Sequence, residues 1–393
     1  MKVFIDVTPI SSHNTGVGFY IKNLLAELYQ LQTISDLQLH LIYQPGMKNW
    51  LKRNWQFPEL IHSYSPFSLL PLPVRLSNLY LEIHPQGFAK YLENKLNIRG
   101  IIHGTNYTVY PYNNCAKIIT IYDLTCIRHP QLVNRTAKKY PQRIKKCLQW
   151  TDIIITISES TKQDIVNFLD INPDKIFVTS LASRFSNFQF SKDLEYLEKS
   201  INYNFEQPYL LFVSTLEPRK NIVNIIKAFN YLKEKHKIPH HLLLVGRKGW
   251  DYRAIFAAIH CSPWQQQIHH LDYVNNEQLA LLYKQADLFV YPSHYEGFGL
   301  PVLEAMTFGV PVVTSNLSSL PEVAGDAALL VDPEDAIAIA EAILKILNDS
   351  QLRESLSQKG RMRSQQFSWQ KTAQQTLQVY QFLINQNHSE ISI

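Results

Sequence analysis

Cysteine is scarce in this sequence, with four in 393 residues: Cys115, Cys126, Cys147 and Cys261. None forms a C-x-x-C pair, and no histidine-rich ligand spacing accompanies them. A disulfide framework and a zinc site are therefore not expected, and a reducing compartment is. Charge of one sign is also in short supply. A formal balance of +5 with 18% charged residues argues against wholesale nucleic-acid binding and leaves only local basic patches. Long apolar runs are missing, since no stretch reaches the roughly 20 residues of a membrane-spanning helix. In the N-terminal stretch M-K-V-F-I-D-V-T-P-I, Asp6 breaks the apolar run, so no secretory signal is expected. Short-period repeats and low-complexity tracts are absent too.

What is present is an apolar content of 46% and a chain long enough for two domains of ordinary size. Short β-branched runs alternate with longer amphipathic segments, the signature of βα units and parallel sheets. The first half carries candidate strands at 2–7, 37–43, 100–103, 117–122, 152–158 and 175–180. The polar, aromatic stretch from Phe185 to Gln207 lacks a period and reads as a linker. The pattern restarts at 209–215, 241–246, 268–274, 287–292 and 310–315. The fold class expected is α/β, with two doubly wound domains joined by a hinge. Such sheets bind ligands beyond the carboxyl ends of their strands.

Three stretches after strands hold the candidate chemistry. In N-T-G-V-G-F-Y, Gly16 and Gly18 allow close backbone approach at a helix start, which suits either a phosphate or sugar contact or a plain glycine turn. The third glycine of a dinucleotide fingerprint is replaced by Ile21, and no acid ends the second strand. In S-T-L-E-P-R-K-N, Arg219 and Lys220 sit at the mouth of a helix. A planar fork and a compact charge suit a diphosphate, and two solvated surface charges are the alternative. In H-Y-E-G-F-G-L-P-V-L-E-A-M-T-F-G-V-P, Pro301 and Gly309 bracket a helix over 301–308. Glu304 then lies one turn in, near the helix start rather than in the core, where a carboxylate can accept two vicinal hydroxyls. Backbone N–H groups at Gly299 and Leu300 can meet phosphate oxygens, and Glu296 reaches a different part of the ligand.

E-G-F-G-L-P-V-L-E resembles the acid–seven residues–acid motif of retaining glycosyltransferases of family 4, which have the two-domain GT-B fold. N-T-G-V-G-F-Y is similar to their first glycine loop, E-P-R-K-N to their cationic clamp, and L-D-Y-V-N-N-E-Q-L to the loop beside the nucleobase. A-D-L-F-V-Y-P-S, G-V-P-V-V-T-S and P-E-V-A-G-D-A-A-L-L-V-D-P follow in the family's order. I-I-T-I-Y-D-L-T and D-I-I-I-T-I-S-E-S-T-K-Q-D-I-V resemble the mannosyltransferase-like branch in particular.

The resemblance implies a donor substrate, a GDP- or UDP-linked sugar, and no metal or other cofactor. Glu304 would hold the ribose and Arg219 and Lys220 the diphosphate. Glu296 would contact the sugar and Val274 would lie beside the base. Gly297, Phe298, Gly299 and Leu300 would line the phosphate turn, and Gly16 and Gly18 would let the first domain approach the donor. Attack from the face of the departing phosphate would retain anomeric configuration. Many relatives carry His-Asp where this chain has Tyr122-Asp123. His103 and Asp123 are therefore candidates for the sugar site, with a structural histidine as the alternative.

Domains are expected over 1–185 and 206–367, with the final helix at 368–393 returning to the first. That helix begins at a Ser N-cap and carries Trp369, Ala373, Leu377, Tyr380 and Ile384 at helical spacing. The acceptor is expected to be a glycan, a lipid-linked glycan or a small molecule. Six Lys/Arg in N-R-T-A-K-K-Y-P-Q-R-I-K-K-C, near the proline-rich P-F-S-L-L-P-L-P-V-R-L that reads as neither strand nor regular helix, suit contact with anionic lipid or a solvated face. The location expected is cytoplasmic, at the inner face of a membrane if lipid is met. A homo-oligomer is compatible with all of this. Rival readings are a sugar-nucleotide epimerase, a non-catalytic glycan-assembly subunit and a dinucleotide oxidoreductase.

Overall fold

A computed structural model describes residues 1–10, 16–53, 64–96 and 98–391, with side chains described as far as 386. Asn14 and Thr15 of the first glycine loop lie outside the described residues. Two compact units make up the chain: Met1–Leu181 together with Trp369–Ile393, and Ala182–Ser368.

The first unit is built on β1 (Lys2–Asp6), β2 (Gln38–Tyr43), β3 (Phe67–Leu69), β4 (Gly100–Gly104), β5 (Cys115–Ile121), β6 (Ile153–Thr156) and β7 (Ile176–Val178). Their order in the sheet is β3-β2-β1-β4-β5-β6-β7, and every pairing is parallel. Buried parallel strands read as near-continuous apolar runs, and Ile153, Ile154 and Ile155 are all buried. The second unit holds β8 (Tyr209–Val213), β9 (His241–Val245), β10 (Ile268–Leu271), β11 (Leu288–Tyr291), β12 (Val312–Ser315) and β13 (Ala328–Val331). These lie in the order β10-β9-β8-β11-β12-β13, again parallel. Both orders reverse direction beside the first strand, and that crevice is where doubly wound sheets take their ligands.

Two short strands depart from the sequence reading. Phe67–Leu69 is a strand inside the proline-rich stretch taken above as irregular, and Val74 starts a helix that runs to Ile83. Ala328–Val331 adds an edge strand beside β12. The stretch from Phe185 to Gln207 is not a bare linker either. Leu194–Lys199 forms a helix, and Phe185, 3% exposed, packs edge-on against Tyr283 and Phe308.

The final helix, Trp369–Ile391, belongs to the first unit. Ala373, Tyr380 and Leu383 are buried along it, and Trp369 stands edge-on to Phe19 of the Gly16–Gln32 helix. Thr372 donates its hydroxyl to the Ser180 carbonyl at 2.6 Å. Among the described residues, no helix is long and apolar enough to cross a membrane.

Candidate functional site

The second unit gathers its charged groups at the carboxyl ends of β8 and β11. After β8 the chain makes a short 3-10 turn, Pro218–Lys220, and Asn221 then enters the Ile222–His236 helix at φ 59°. Asn tolerates that left-handed backbone better than most residues. Its amide donates to the carbonyls of Pro292 and Pro333, at 3.0 and 2.6 Å. The turn is thereby fastened to the segment after β11, and the two cations arrive beside Glu296.

Glu296 is 7% exposed and is gripped from both sides. Lys220 Nζ donates to its Oε1 at 2.6 Å, and Arg219 Nη1 to its Oε2 at 2.8 Å. The Tyr291 hydroxyl donates to Oε1 at 3.0 Å while accepting from Lys220 at 2.8 Å. Arg219 also bonds the Tyr295 carbonyl at 2.5 Å and Glu217 at 3.0 Å. Burial alone would raise the Glu296 carboxyl, but the adjacent Arg219 and Lys220 outweigh it and hold it at about 2. Burial and the neighbouring guanidinium press Lys220 below the ordinary lysine value, with Glu296 opposing them. The result is a compact set of two cations and a firmly ionised acid, with Glu217 at its edge.

The turn after Glu296 is set by glycine and serine. Gly299 has φ 111°, and a Cβ there would come within 2.7 Å of Leu320 Cδ2, so both backbone and space select glycine. It caps the Leu300–Thr307 helix. The Glu296 N–H donates to Ser318 Oγ at 3.0 Å. The Ser319 hydroxyl lies 2.9 and 2.7 Å from the carbonyls of Glu296 and Phe298. Gly297 and Phe298 are buried in this turn, and Leu300 is half-buried at its end.

Glu304 corrects an expectation. It is not a near-surface group at a helix start but wholly buried, because Val302, Leu303, Ala305 and Met306 around it are buried as well. Arg184 Nε donates to its Oε1 at 2.6 Å, and the Tyr283 hydroxyl to its Oε2 at 3.2 Å. Burial lowers the Arg184 guanidinium, but Glu304 more than offsets this, and its value is raised. The rings of Tyr283, Phe289 and Tyr291 connect the two acids, with successive centroids 5.6 and 5.7 Å apart. Val274 follows β10 half-buried, next to the exposed Tyr273 ring, over which Arg247 sits at 4.6 Å.

The first unit holds the remaining candidates. Gly16 opens the Gly16–Gln32 helix, and a Cβ on it would meet nothing within 4 Å. Gly18 lies in the same first turn, half-buried. His103 is fully buried at the end of β4, with Nδ1 2.7 Å from the Tyr380 hydroxyl and Nε2 2.7 Å from Thr120 Oγ1. Burial pushes its imidazole down to about 3. It is therefore neutral near pH 7, and with both nitrogens engaged it fastens the final helix to the sheet. That geometry gives His103 a place in the packing of the first unit. Asp123 follows β5, half-buried, and accepts the Thr125 N–H at 2.9 Å. Of the sequence candidates, the structure joins Arg219, Lys220 and Glu296 directly. Glu217, Tyr291, Tyr283 and Arg184 complete the two acid clusters, and none was singled out from sequence. Among the described residues no group of three or more His, Cys, Asp or Glu is placed to hold a metal ion.

Over 387 residues this chain is 33% identical to the O-antigen chain mannosyltransferase B of Escherichia coli, covering 98% of this chain and all of that one. The chain belongs to the group 1 glycosyltransferases. The sequence profile of that family, Glycosyl transferases group 1, matches residues 195–363, the stretch that carries both acids and both cations. Solved structures agree on the fold. The glycosyltransferase superposes on sucrose-phosphate synthase from Thermosynechococcus elongatus with a TM-score of 0.74 at 21% identity, over 98% of this chain and 99% of that one. It superposes on HepE of Anabaena, solved with UDP and glucose, with a TM-score of 0.71 at 14% identity, over 96% and 99%. The fold is GT-B. The epimerase, binding-subunit and oxidoreductase readings are not favoured for a glycosyltransferase of this group.

Proposed function

We propose that this glycosyltransferase moves a mannose-like or glucose-like hexose from a GDP- or UDP-linked donor to a glycan, with retention and without a metal. The observation that carries the reading is the Arg219–Glu296–Lys220 cluster, two buried or half-buried cations fixed at the carboxyl ends of β8 and β11. As the glycosidic bond breaks, negative charge grows on the departing diphosphate, and preorganised cations in a site that excludes water stabilise it most. Glu296 supplies the counter-charge that keeps the two cations together and meets the sugar. The Gly299–Leu300 amides face phosphate oxygens at a helix start. Glu304 accepts the ribose hydroxyls and Val274 flanks the base. Roles in donor binding for Gly16 and Gly18, and in catalysis for Asp123, belong to the same proposal.

The mannosyl choice is supported by the relative named an O-antigen chain mannosyltransferase. A lipid-linked acceptor at the inner face of a membrane suits the Tyr140–Cys147 helix, which buries Ile144 and Cys147 and turns Lys145 outward beside the exposed Arg135, Lys138 and Lys139. The domain limits proposed for function are 1–185 with 368–393, and 206–367. Incubation with a panel of nucleotide sugars, with and without EDTA, tests the reading. Transfer from one donor, unchanged by EDTA, with the donor's anomeric configuration kept in the product by NMR, is expected. An inverted product or a strict need for manganese would contradict it.

Glu304→Ala should weaken binding of the nucleoside diphosphate by about 1.5–3 kcal/mol, the scale of a lost charge-assisted hydrogen-bond partner. Because the acid is buried, the same change should also lower the melting temperature, leaving Arg184 and Tyr283 without their acceptor. Calorimetry and thermal denaturation read the two effects separately. Unchanged nucleotide affinity would remove Glu304 from the donor site.

A further inference from the structure

We infer that Arg184 is a positioning residue for Glu304, fixing the carboxylate that takes the donor's ribose; the inference rests on the ribose reading proposed above. Glu304 offers about four acceptor positions on its two oxygens. Arg184 Nε occupies one on Oε1 at 2.6 Å, and the Tyr283 hydroxyl one on Oε2 at 3.2 Å. One position on each oxygen remains, the number a vicinal diol needs. A buried carboxylate is disfavoured unless a cation stands opposite it, and Arg184 is that cation.

Arg184 also controls the approach. Tyr283 is wholly buried, whereas the Arg184 side chain is 30% exposed over a carboxylate that is 1% exposed. The exposed edge of the pair is therefore on the Arg184 side, and a diol would approach Glu304 from there. The guanidinium lies 5.8 Å from the Phe185 ring centroid, and Phe185 is itself buried against Tyr283 and Phe308. The guanidinium thus lies beside the aromatic cluster that also carries Tyr283. The Nε–H of a planar guanidinium fixes direction as well as charge, which a lysine ammonium would not.

The experiment compares GDP with 2′-deoxy-GDP, and UDP with 2′-deoxy-UDP, by calorimetry on the full chain. The wild type should prefer the ribonucleotide of the accepted base by about tenfold or more, the weight of a charge-assisted hydrogen bond. In Arg184→Met that preference should shrink to about twofold or less, the ribonucleotide losing clearly more affinity than the deoxy form, which keeps only its 3′-hydroxyl contact to Glu304. Equal losses for both forms, or an undiminished preference, would overturn the inference. A wild type that does not discriminate would overturn it too, but by removing the ribose reading beneath it. If Arg184→Met does not fold, Arg184→Lys decides. A preference reduced about threefold at an unchanged melting temperature supports the positioning role, since charge is kept and geometry lost. A preference equal to that of the wild type overturns it.

Discussion

Replacing Lys220 with alanine should cut turnover by about 10²–10³-fold, the scale seen when one preorganised donor to a developing negative charge is removed. The Michaelis constant should change far less, because the interaction strengthens as the diphosphate departs rather than when the donor binds. The fold should survive. Glu296 keeps Arg219 at 2.8 Å and the Tyr291 hydroxyl at 3.0 Å, so its carboxylate is not left bare. Steady-state kinetics with the accepted donor and a circular dichroism melt separate the two effects. A variant with wild-type turnover would take Lys220 out of the chemistry.

Glu296→Ala should do the reverse damage and destabilise the second unit by about 3–5 kcal/mol, the cost of breaking a buried ion pair from one side. Lys220, 6% exposed, would keep a like-charged guanidinium beside it and lose its carboxylate. Activity should fall with stability. The acid limb offers a second reading. With its carboxyl held at about 2 against an ordinary 4.5, Glu296 contributes stability that is complete above the ordinary value. That contribution is lost as pH falls from about 4.5 towards 2. It amounts to about 3 kcal/mol. Denaturant titrations at pH 7 and at pH 3 should therefore show the gap between wild type and variant narrowing by about 2 kcal/mol at the lower pH. An equal gap at both would show that Glu296 acts by packing alone.

Much of this was legible from the chain itself. The runs K-V-F-I-D-V, D-I-I-I-T-I-S and Y-L-L-F-V-S-T announce buried parallel strands because the middle of a doubly covered strand is nearly all apolar. Pro301 and Gly309 bracket the short helix, and glycine suits position 299, whose φ of 111° L side chains rarely adopt. Three residues between prolines, Phe67–Leu69, are too few for periodicity to register. Ala328–Val331 is a four-residue edge strand, only partly buried, and is likewise too short to show a period. Contacts across long stretches of chain were invisible. Arg184 meets Glu304 across 120 residues, and no local pattern marks either as the other's partner. His103 read as a candidate because it ends the strand preceding Tyr122-Asp123, where many relatives carry His-Asp, and the sequence could not show that its two neighbours, Thr120 and Tyr380, come from β5 and the final helix. The burial of Glu304 escaped notice for a related reason, since amphipathic spacing gives no warning when a helix is covered on nearly every side.

Arg219 and Lys220 are proposed as the seat of a nucleoside diphosphate. Calorimetric titration of the full chain with guanosine, GDP, uridine and UDP tests it most directly. One diphosphate should bind about 100-fold tighter than its own nucleoside, a gap that two charge-assisted contacts can supply. Lys220→Ala should lose most of that gap. Equal affinity of the wild type for nucleoside and diphosphate would contradict the account.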